Sequence, residues 1–580
     1  MDGFLKKAWG DVPAFFERTR KLGWIDLVVV VGLAGILFGV IDLAHDWSVD
    51  SRPAVQISLA PWALVQYTFF SLFRGLSAYA LSLTFTLVYG YWAAKDKLAA
   101  RILIPLLDIL QSIPVLGFMP GLVLALAALF PGSNFGIELA AIIMIFTGQA
   151  WNMTFSFYQS LRSVPQDLNE VATVYHFSWW DRLRKTEIPF ATVGLVWNSM
   201  MSMAGGWFFL MINESFVLGN KDFRLPGIGS YMSVAVAKGN VQAMICAVIA
   251  MVLMIVMLDQ FLWRPVVVWS QKFRVEEGGY QEAMSSWVIT LFENSRIVKK
   301  IKQILSQRPA MPSEKSSAPK FHFPQLRVPL FFSKSLSTIL FVSLLVSLTA
   351  GAWKLIHLIL GVPLNEWLQI IYSAFLTLAR VLTATALGTL WAVPAGLAIG
   401  LSPRLSRIFQ PVVQVAASFP APMLFPAVIA LLKILGVPLN WGSILLMLLG
   451  TQWYILFNVI AGSMAIPADL REAARSYNIK GWERFSKIYL PAVFPYLITG
   501  WVTAAGGAWN ASIVSEYVTF KGQVLTAWGL GAYISQAAEK ANFPHLAAGI
   551  IIMSTIVVLF NRTVWQSCYK LAEHKFSLSK

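Results

Sequence analysis

Residues 467–491 read PADLREAARSYNIKGWERFSKIYLP, and residues 165–189 read PQDLNEVATVYHFSWWDRLRKTEIP. Each stretch opens on a proline, gathers basic residues toward its end, and closes on a proline that enters a long apolar run. The two are one segment written twice. Glu170 lies 472 − 170 = 302 residues before Glu472, and the same offset links Pro165 to Pro467, Trp180 to Trp482, Pro189 to Pro491 and Glu214 to Glu516. A polar, basic loop repeated between apolar runs predicts a membrane-embedded body with two equivalent docking points for a soluble partner.

The rest of the chain agrees with a membrane setting. It is 57% hydrophobic and 13% charged, with mean hydropathy +0.64, where a soluble globule carries about 25% charged residues. The apolar runs at 24–43, 63–93, 115–131, 190–213 and 241–258 match or approach the length needed to cross a hydrocarbon core of about 30 Å. Spans in lipid must pair their own backbone groups, so they are expected to be helices. The net charge of +16 follows from Lys and Arg gathered in loops on one side. No basic motif interleaved with stacking aromatics points to nucleic acid. Cys246 and Cys568 have neither metal-ligand spacing nor a disulfide partner. The basic N-terminal segment precedes a long apolar run without a small-residue cleavage site, and reads as a retained cytosolic segment.

The repeat extends past the loop. Upstream the offset is 306: Arg74 matches Arg380, Gly90 Gly396, Arg101 Arg407, Pro114 Pro420 and Pro120 Pro426. Downstream it is 302: Gly227 matches Gly529, Gly229 Gly531, Tyr231 Tyr533 and Trp263 Trp565. The change of four places an insertion near Phe130–Ile137, a turn-like stretch. Residues 60–270 and 366–572 are therefore tandem copies. Six spans are expected in each half, near 24–43, 63–94, 102–131, 137–161, 190–213 and 240–266, and near 336–360, 367–400, 408–437, 441–465, 492–515 and 543–568. The expected fold is an all-α integral membrane protein of about twelve transmembrane helices in two tandem parallel six-helix repeats. An even span count makes the repeats parallel, with the pathway at their interface. The expected organisation is a cytosolic segment at 1–23, a first domain at 24–270, a cytosolic linker at 271–334, a second domain at 335–572 and a tail at 573–580, both termini cytosolic. The linker contains a basic helical stretch that either lies on a surface or serves as a tether, followed by a Pro/Ser/Lys-rich run.

At the paired loops the sequence resembles the permease subunits of bacterial ABC importers, whose signature is Glu-Ala-Ala, a later glycine, then a hydrophobic residue and proline. The second loop fits closely, with Glu472, Ala473, Ala474, Gly481, Ile488, Leu490 and Pro491. The first keeps Glu170, Ala172, Ile188 and Pro189 but has Val171 and Trp179 at the second-residue and glycine positions. Segments such as SFPAPMLFPAVIALL and GWVTAAGGAWNASIVSEY are similar to permeases for nitrate, sulfonate, taurine and bicarbonate. The resemblance implies a type I importer architecture in the bacterial inner membrane. It also implies two separate ATPase subunits that carry ATP and Mg, and a periplasmic or lipid-anchored substrate-binding protein. The loop chemistry suits docking on its own terms. Small Ala473 and Ala474 allow close approach, acidic Glu472 favours the helix start, and Gly481 permits a turn.

Arg74 and Arg380 lie inside the second spans, and Glu214 and Glu516 at the ends of the fifth. Charges there are costly and face protein or water. Two readings stand: a gating pair of arginines on the pathway, or structural ion pairs of each arginine with its glutamate. Gly205, Gly206, Gly506 and Gly507 permit close helix approach, and the fifth spans are expected to face each other across the pseudo-twofold axis. No phosphate-binding loop, paired catalytic carboxylates, metal cluster or nucleophile elbow is present in the sequence, so no catalytic, cofactor or metal site is expected in this chain. The rival reading is a twelve-span secondary transporter. It needs coupling carboxylates mid-membrane, and few are visible there: Asp26, Asp108 and Asp259 lie near span ends.

Overall fold

The computed structural model describes residues 56–131, 133–218, 221–273, 346, 349–351, 353–520 and 523–575. The first span of the first half, the N-terminal segment, nearly all of the linker and the end of the tail lie outside these residues. So does much of the first span of the second half, of which 353–359 are helical.

The first half runs α1 (Ala63–Lys95), α2 (Lys97–Ser112), α3 (Val115–Leu129), α4 (Phe135–Arg162), α5 (Gln166–Val174), α6 (Ile188–Glu214), a hairpin of β1 (Val217–Leu218) and β2 (Lys221–Asp222), α7 (Ile228–Ala237) and α8 (Val241–Leu258). The second half repeats this order as α9 (Leu364–Leu401), α10 (Pro403–Ser418), α11 (Phe425–Ile434), α12 (Leu439–Met464), α13 (Ala468–Ser476), α14 (Leu490–Ser515), β3 (Tyr517–Phe520), β4 (Gln523–Thr526), α15 (Leu530–Glu539) and α16 (Phe543–Phe560). Eight helical stretches among the described residues are long and apolar enough to cross a membrane, or nine if one bent pair is counted.

The third spans depart from expectation. The stretches at 102–131 and 408–437 are not single straight helices. The first is broken between α2 and α3. The second bends by 84° between α10 and the segment that starts at Ala421. Proline is the cause: it has no N–H to give the helix and pushes the chain toward extended geometry. Pro114 (φ −63°, ψ 116°) and Pro420 (φ −70°, ψ 114°) adopt the same extended conformation at equivalent positions. At about 1.5 Å per residue, the 15 residues of α3 reach only part way across a core of about 30 Å.

Two further features repeat. The fifth helices are entered through π-helical turns at Leu183–Glu187 and Phe485–Tyr489, and the sixth are left through π-helical turns at Asp259–Trp263 and Asn561–Trp565. Such turns re-aim the side chains that follow them.

The halves interlock reciprocally. α6 packs on α10 and on residues 421–424, while α14 packs on α3. α8 meets α10, and α16 meets α2. α7 touches β3, and α15 touches β1. This is the contact pattern of two parallel repeats about a twofold axis. One apolar core crosses the boundary, joining Val115, Met203 and Trp207 to Met423, Met447 and Trp509.

Candidate functional site

The paired loops form on one pattern. Pro165 and Pro467 stand before α5 and α13 in nearly identical conformations (φ −54°, ψ 145° and φ −56°, ψ 144°). Asp167 and Asp469 occupy the first turns, where a negative charge favours the helix dipole. The helices end on residues in the left-handed region, His176 (φ 51°) and Asn478 (φ 54°). Their N–H groups donate to Thr173 and Arg475 carbonyls at 3.1 and 3.0 Å, and the next residues, Phe177 and Ile479, donate to Ala172 and Ala474 at 2.9 and 3.0 Å. These bonds satisfy the last free carbonyls. The turn expected of Gly481 is thus made three residues earlier, by Asn478. Gly481 also has a positive φ of 55° and opens the next helical turn. At its equivalent, Trp179, that turn is capped instead by Ser178, whose hydroxyl accepts from Asp181 N at 3.2 Å.

Burial sorts the motif residues by role. Ala172 and Ala474 are buried against the body, at 3% and 1% exposure. Glu170, Val171, Glu472 and Ala473 are exposed. The alanine two residues after each glutamate therefore anchors the loop, while the glutamate and its neighbour form the outward face. Val174, Tyr175, Trp179, Trp180, Tyr477 and Trp482 are exposed on the same loops. Pro189 and Pro491 sit at the first turn of α6 and α14, where a missing N–H costs nothing.

At the opposite ends of the long helices lie two buried ion pairs. Arg74 Nη1 meets Glu214 Oε1 at 2.6 Å, and Arg380 Nη1 meets Glu516 Oε1 at 2.7 Å. Glu214 also accepts from Ser71 Oγ at 2.7 Å and from Gly229 N at 2.8 Å. Glu516 accepts from Thr377 Oγ1 at 2.9 Å and from Gly531 N at 2.8 Å. Each hydroxyl in turn accepts from the backbone, Ser71 from Ile228 N at 3.0 Å and Thr377 from Leu530 N at 2.8 Å. Each carboxylate is thus held by the second helix and by the start of α7 or α15, where helix geometry presents N–H groups to an anion. The glycines are required by space. A Cβ on Gly227 or Gly529 would stand 2.2 or 2.3 Å from the nearest carboxylate atom, and one on Gly229 or Gly531 would meet a carbonyl oxygen at 2.6 or 2.4 Å.

Each arginine has a second ligand that the repeat does not mark. Arg74 Nε and Nη2 donate to Glu138 at 2.5 and 2.7 Å. Arg380 Nε donates to the Asn440 carbonyl at 3.0 Å, and Nη2 contacts Asn440 Oδ1 at 3.3 Å. Glu138 and Asn440 are in register, since 440 − 138 = 302. A lone carboxylate opening an apolar span was the available signal.

The glycines of the fifth helices divide. A Cβ on Gly205 would come within 3.1 Å of the Tyr454 hydroxyl from the other half, and one on Gly507 within 3.4 Å of the Tyr454 ring. Tyr454 therefore stands where both fifth helices approach. Gly206 makes room for buried Gln149, and Gly506 faces open space. Across the boundary Asn510 Oδ1 accepts from Val115 N at 2.7 Å, supplying a partner for the N–H that follows the Pro114 break. A water-sized cavity between the halves is lined by Met203, Trp207, Asp259, Trp263, Gln414 and Ser418. In it Gln414 Nε2 donates to Asp259 Oδ1 at 2.7 Å.

Residues 86–262 and 384–564, more than half of the chain, each match the family of binding-protein-dependent transport system inner membrane components. A nitrate import permease protein of Leptolyngbya laminosa is 28% identical over 194 residues, 33% of this chain and 66% of its own length. A bicarbonate transport system permease protein of Synechococcus elongatus is 25% identical over the same shares. A taurine transport system permease protein of Escherichia coli is 24% identical over 183 residues, 32% of this chain and 63% of its own. The chain thus spans just under two thirds of the length of these relatives. With the family matched once in each half and each match carrying one of the paired loops, this chain belongs to the binding-protein-dependent transport system inner membrane components, in duplicated form.

Proposed function

We propose that this chain is the complete transmembrane pathway of an ATP-driven importer for a small anion, of the nitrate, bicarbonate, sulfonate or taurine type. The observation that carries this is the pair of equivalent loops, each with a buried alanine anchor and an exposed glutamate–aromatic face, on a body whose halves interlock about a twofold axis. Two ATPase subunits dock on α5 and α13 from the cytosol and hydrolyse ATP. A binding protein delivers the solute to the opposite face, where the hairpins lie. The relatives named for nitrate, bicarbonate and taurine supply the solute class.

The geometry fits alternating access. Closure of two ATPase subunits draws the loops together, and the π-turns join each loop rigidly to its fifth helix. The fifth helices carry the motion to the broken third segments of the opposite half. Arg74–Glu214 and Arg380–Glu516 keep each hairpin and its following short helix fixed to the moving bundle, so that the outer gate moves as a unit. Gly205 and Gly507 let the bundles close around Tyr454.

The test is uptake of labelled nitrate, bicarbonate and taurine into proteoliposomes holding the full chain with its co-purifying ATPase and binding protein. ATP-dependent uptake of one of these is expected. Glu472→Ala and Gly481→Trp should leave ATP hydrolysis running with uptake lost. Transport at the wild-type level in both variants sinks the docking assignment, and gradient-driven uptake without ATP favours a secondary transporter.

A further inference from the structure

The two docking loops share a backbone but not a surface. On the first docking helix, Gln166–Val174, the only charged residues are Asp167 and Glu170. On the second, Ala468–Ser476, Asp469 and Glu472 are joined by Arg471 and Arg475, which replace Asn169 and Thr173. Lys480 then replaces Ser178.

The cations of the first loop are largely occupied within it. Arg182 lies 3.5 Å from Glu187 and donates to Asn169 Oδ1 at 2.6 Å. Lys95 reaches the same Glu187 from α1. Lys185 pairs with Asp181 at 2.7 Å. Of the first loop's basic residues, only Arg184 is exposed without an ion pair among the described residues. In the second loop the hub is gone. Tyr489 stands at the place of Glu187, and Arg484 stacks on its ring at 5.0 Å. Arg475 and Lys480 are exposed and half-exposed Arg471 stands beside them; none of the three makes an ion pair among the described residues.

Apolar exposure runs the other way. Val174 is 73% and Trp179 62% exposed on the first loop, where the second has Ser476 and Gly481. Tyr175 with Tyr477, and Trp180 with Trp482, are common to both.

We propose that the two loops hold their soluble subunits by different chemistry: the second seats against a protein groove rimmed by carboxylates, the first against an apolar groove. This rests on reading the loops as ATPase docking sites. Charge complementarity chooses the partner for the second loop. A protein groove is favoured over anionic headgroups because exposed Glu472 lies among the same cations, and a carboxylate there opposes a uniformly anionic surface.

Salt separates the two grips. Raising NaCl from about 0.1 M to about 1 M shortens the Debye length from about 10 Å to about 3 Å, which weakens exposed charge pairing and leaves apolar burial in place. The full-length tagged chain is placed in nanodiscs of zwitterionic lipid with the ATPase that co-purifies with it, without nucleotide, and the bound subunits per chain are counted. Wild type should hold two subunits at low salt and one at high salt. Arg475→Thr with Lys480→Ser, which installs the first loop's residues, should hold one at both. Val174→Ser with Trp179→Gly should hold one at low salt and none at high salt. Two subunits retained at high salt, or equal salt sensitivity in the two double variants, overturns the proposal. A salt effect that appears only when the nanodisc carries anionic lipid assigns the cations to headgroups and also overturns it. No ATPase on wild type at low salt removes the docking reading itself.

Discussion

The buried ion pairs of the two halves differ in the second ligand of the arginine. Arg74 sits between two carboxylates, Glu214 and Glu138, whereas Arg380 has one, Glu516, and an amide, Asn440. The staple of second helix, fifth helix and following short helix is otherwise the same, down to the hydroxyl at Ser71 or Thr377 and the glycine N–H at 229 or 531. Duplicated sites keep what geometry demands and drift where charge has slack. Glu138 has that slack because its side chain is 33% exposed, against 0% for Glu214 and Glu516. Water carries part of its charge, so an amide can take its place.

That contrast is broken most forcefully at the fully buried carboxylates. Removing one partner of a buried pair costs about 3–5 kcal/mol, because the other charge is left uncompensated. Glu516→Ala should reach that range, since Arg380 keeps only amide ligands. Glu214→Ala should cost less, since Arg74 keeps Glu138. Thermal unfolding of the purified chain measures both, and equal losses would show that Glu138 carries none of the burden. The glycines make the complementary prediction. Gly229→Ala and Gly531→Ala each force a Cβ against a carbonyl oxygen, and overpacking costs about 1–3 kcal/mol. Because space rather than charge is at stake, the two halves should respond alike.

The same division marks what the sequence disclosed. The repeat, the positions of the eight long described spans and, as one of two open readings, the pairing of Arg74 with Glu214 and of Arg380 with Glu516 were legible, because in-register Pro, Trp, Gly and Arg mark backbone and charge requirements. The broken third spans were not. Pro114 and Pro420 sit in runs whose hydropathy is continuous, and hydropathy reports composition while the break is conformational. The left-handed turns at His176 and Asn478 are hidden in the sequence because glycine, as at 481, is the residue that ordinarily marks such a turn. Glu138 and Asn440 do not show in the repeat because they differ, and identity at equal spacing is what marks a duplicated position. The first expected span of the first half, much of that of the second and nearly all of the linker lie outside the described residues, so the twelve-span count stands as the sequence expectation.

A smaller effect sharpens the comparison of the loops. Gly481 has φ 55°, while Trp179 is not among the positive-φ residues. A Cβ at 481 meets nothing within 4 Å, so Gly481→Ala should cost only the left-handed strain of about 1 kcal/mol. Trp179→Gly should cost a similar amount through chain entropy, about 0.5–1 kcal/mol. Circular dichroism melts of the full chain would register both as shifts of a few degrees, without loss of expression.

The smallest expected change is the most discriminating. Glu138→Gln converts the first ion cluster to the charge of the second, and Asn440→Asp does the reverse. Each keeps an oxygen within reach of its arginine. Asn440 Oδ1 already accepts from Trp528 N at 2.8 Å, a bond a carboxylate preserves. Partly exposed pairs are worth about 0–1 kcal/mol, so each single change should stay within that range, with Asn440→Asp neutral or stabilising. The decisive case is Glu138→Gln combined with Glu214→Gln. If the two carboxylates share one arginine, removing both strips Arg74 of every counter-charge. The combined loss should then exceed the sum of the separate losses by about 0.5–3 kcal/mol, the coupling range of residues in one network. Simple additivity would mean that Glu138 and Glu214 act independently. The difference between the halves would then lie in the amide of Asn440 and its hold on Trp528, not in charge.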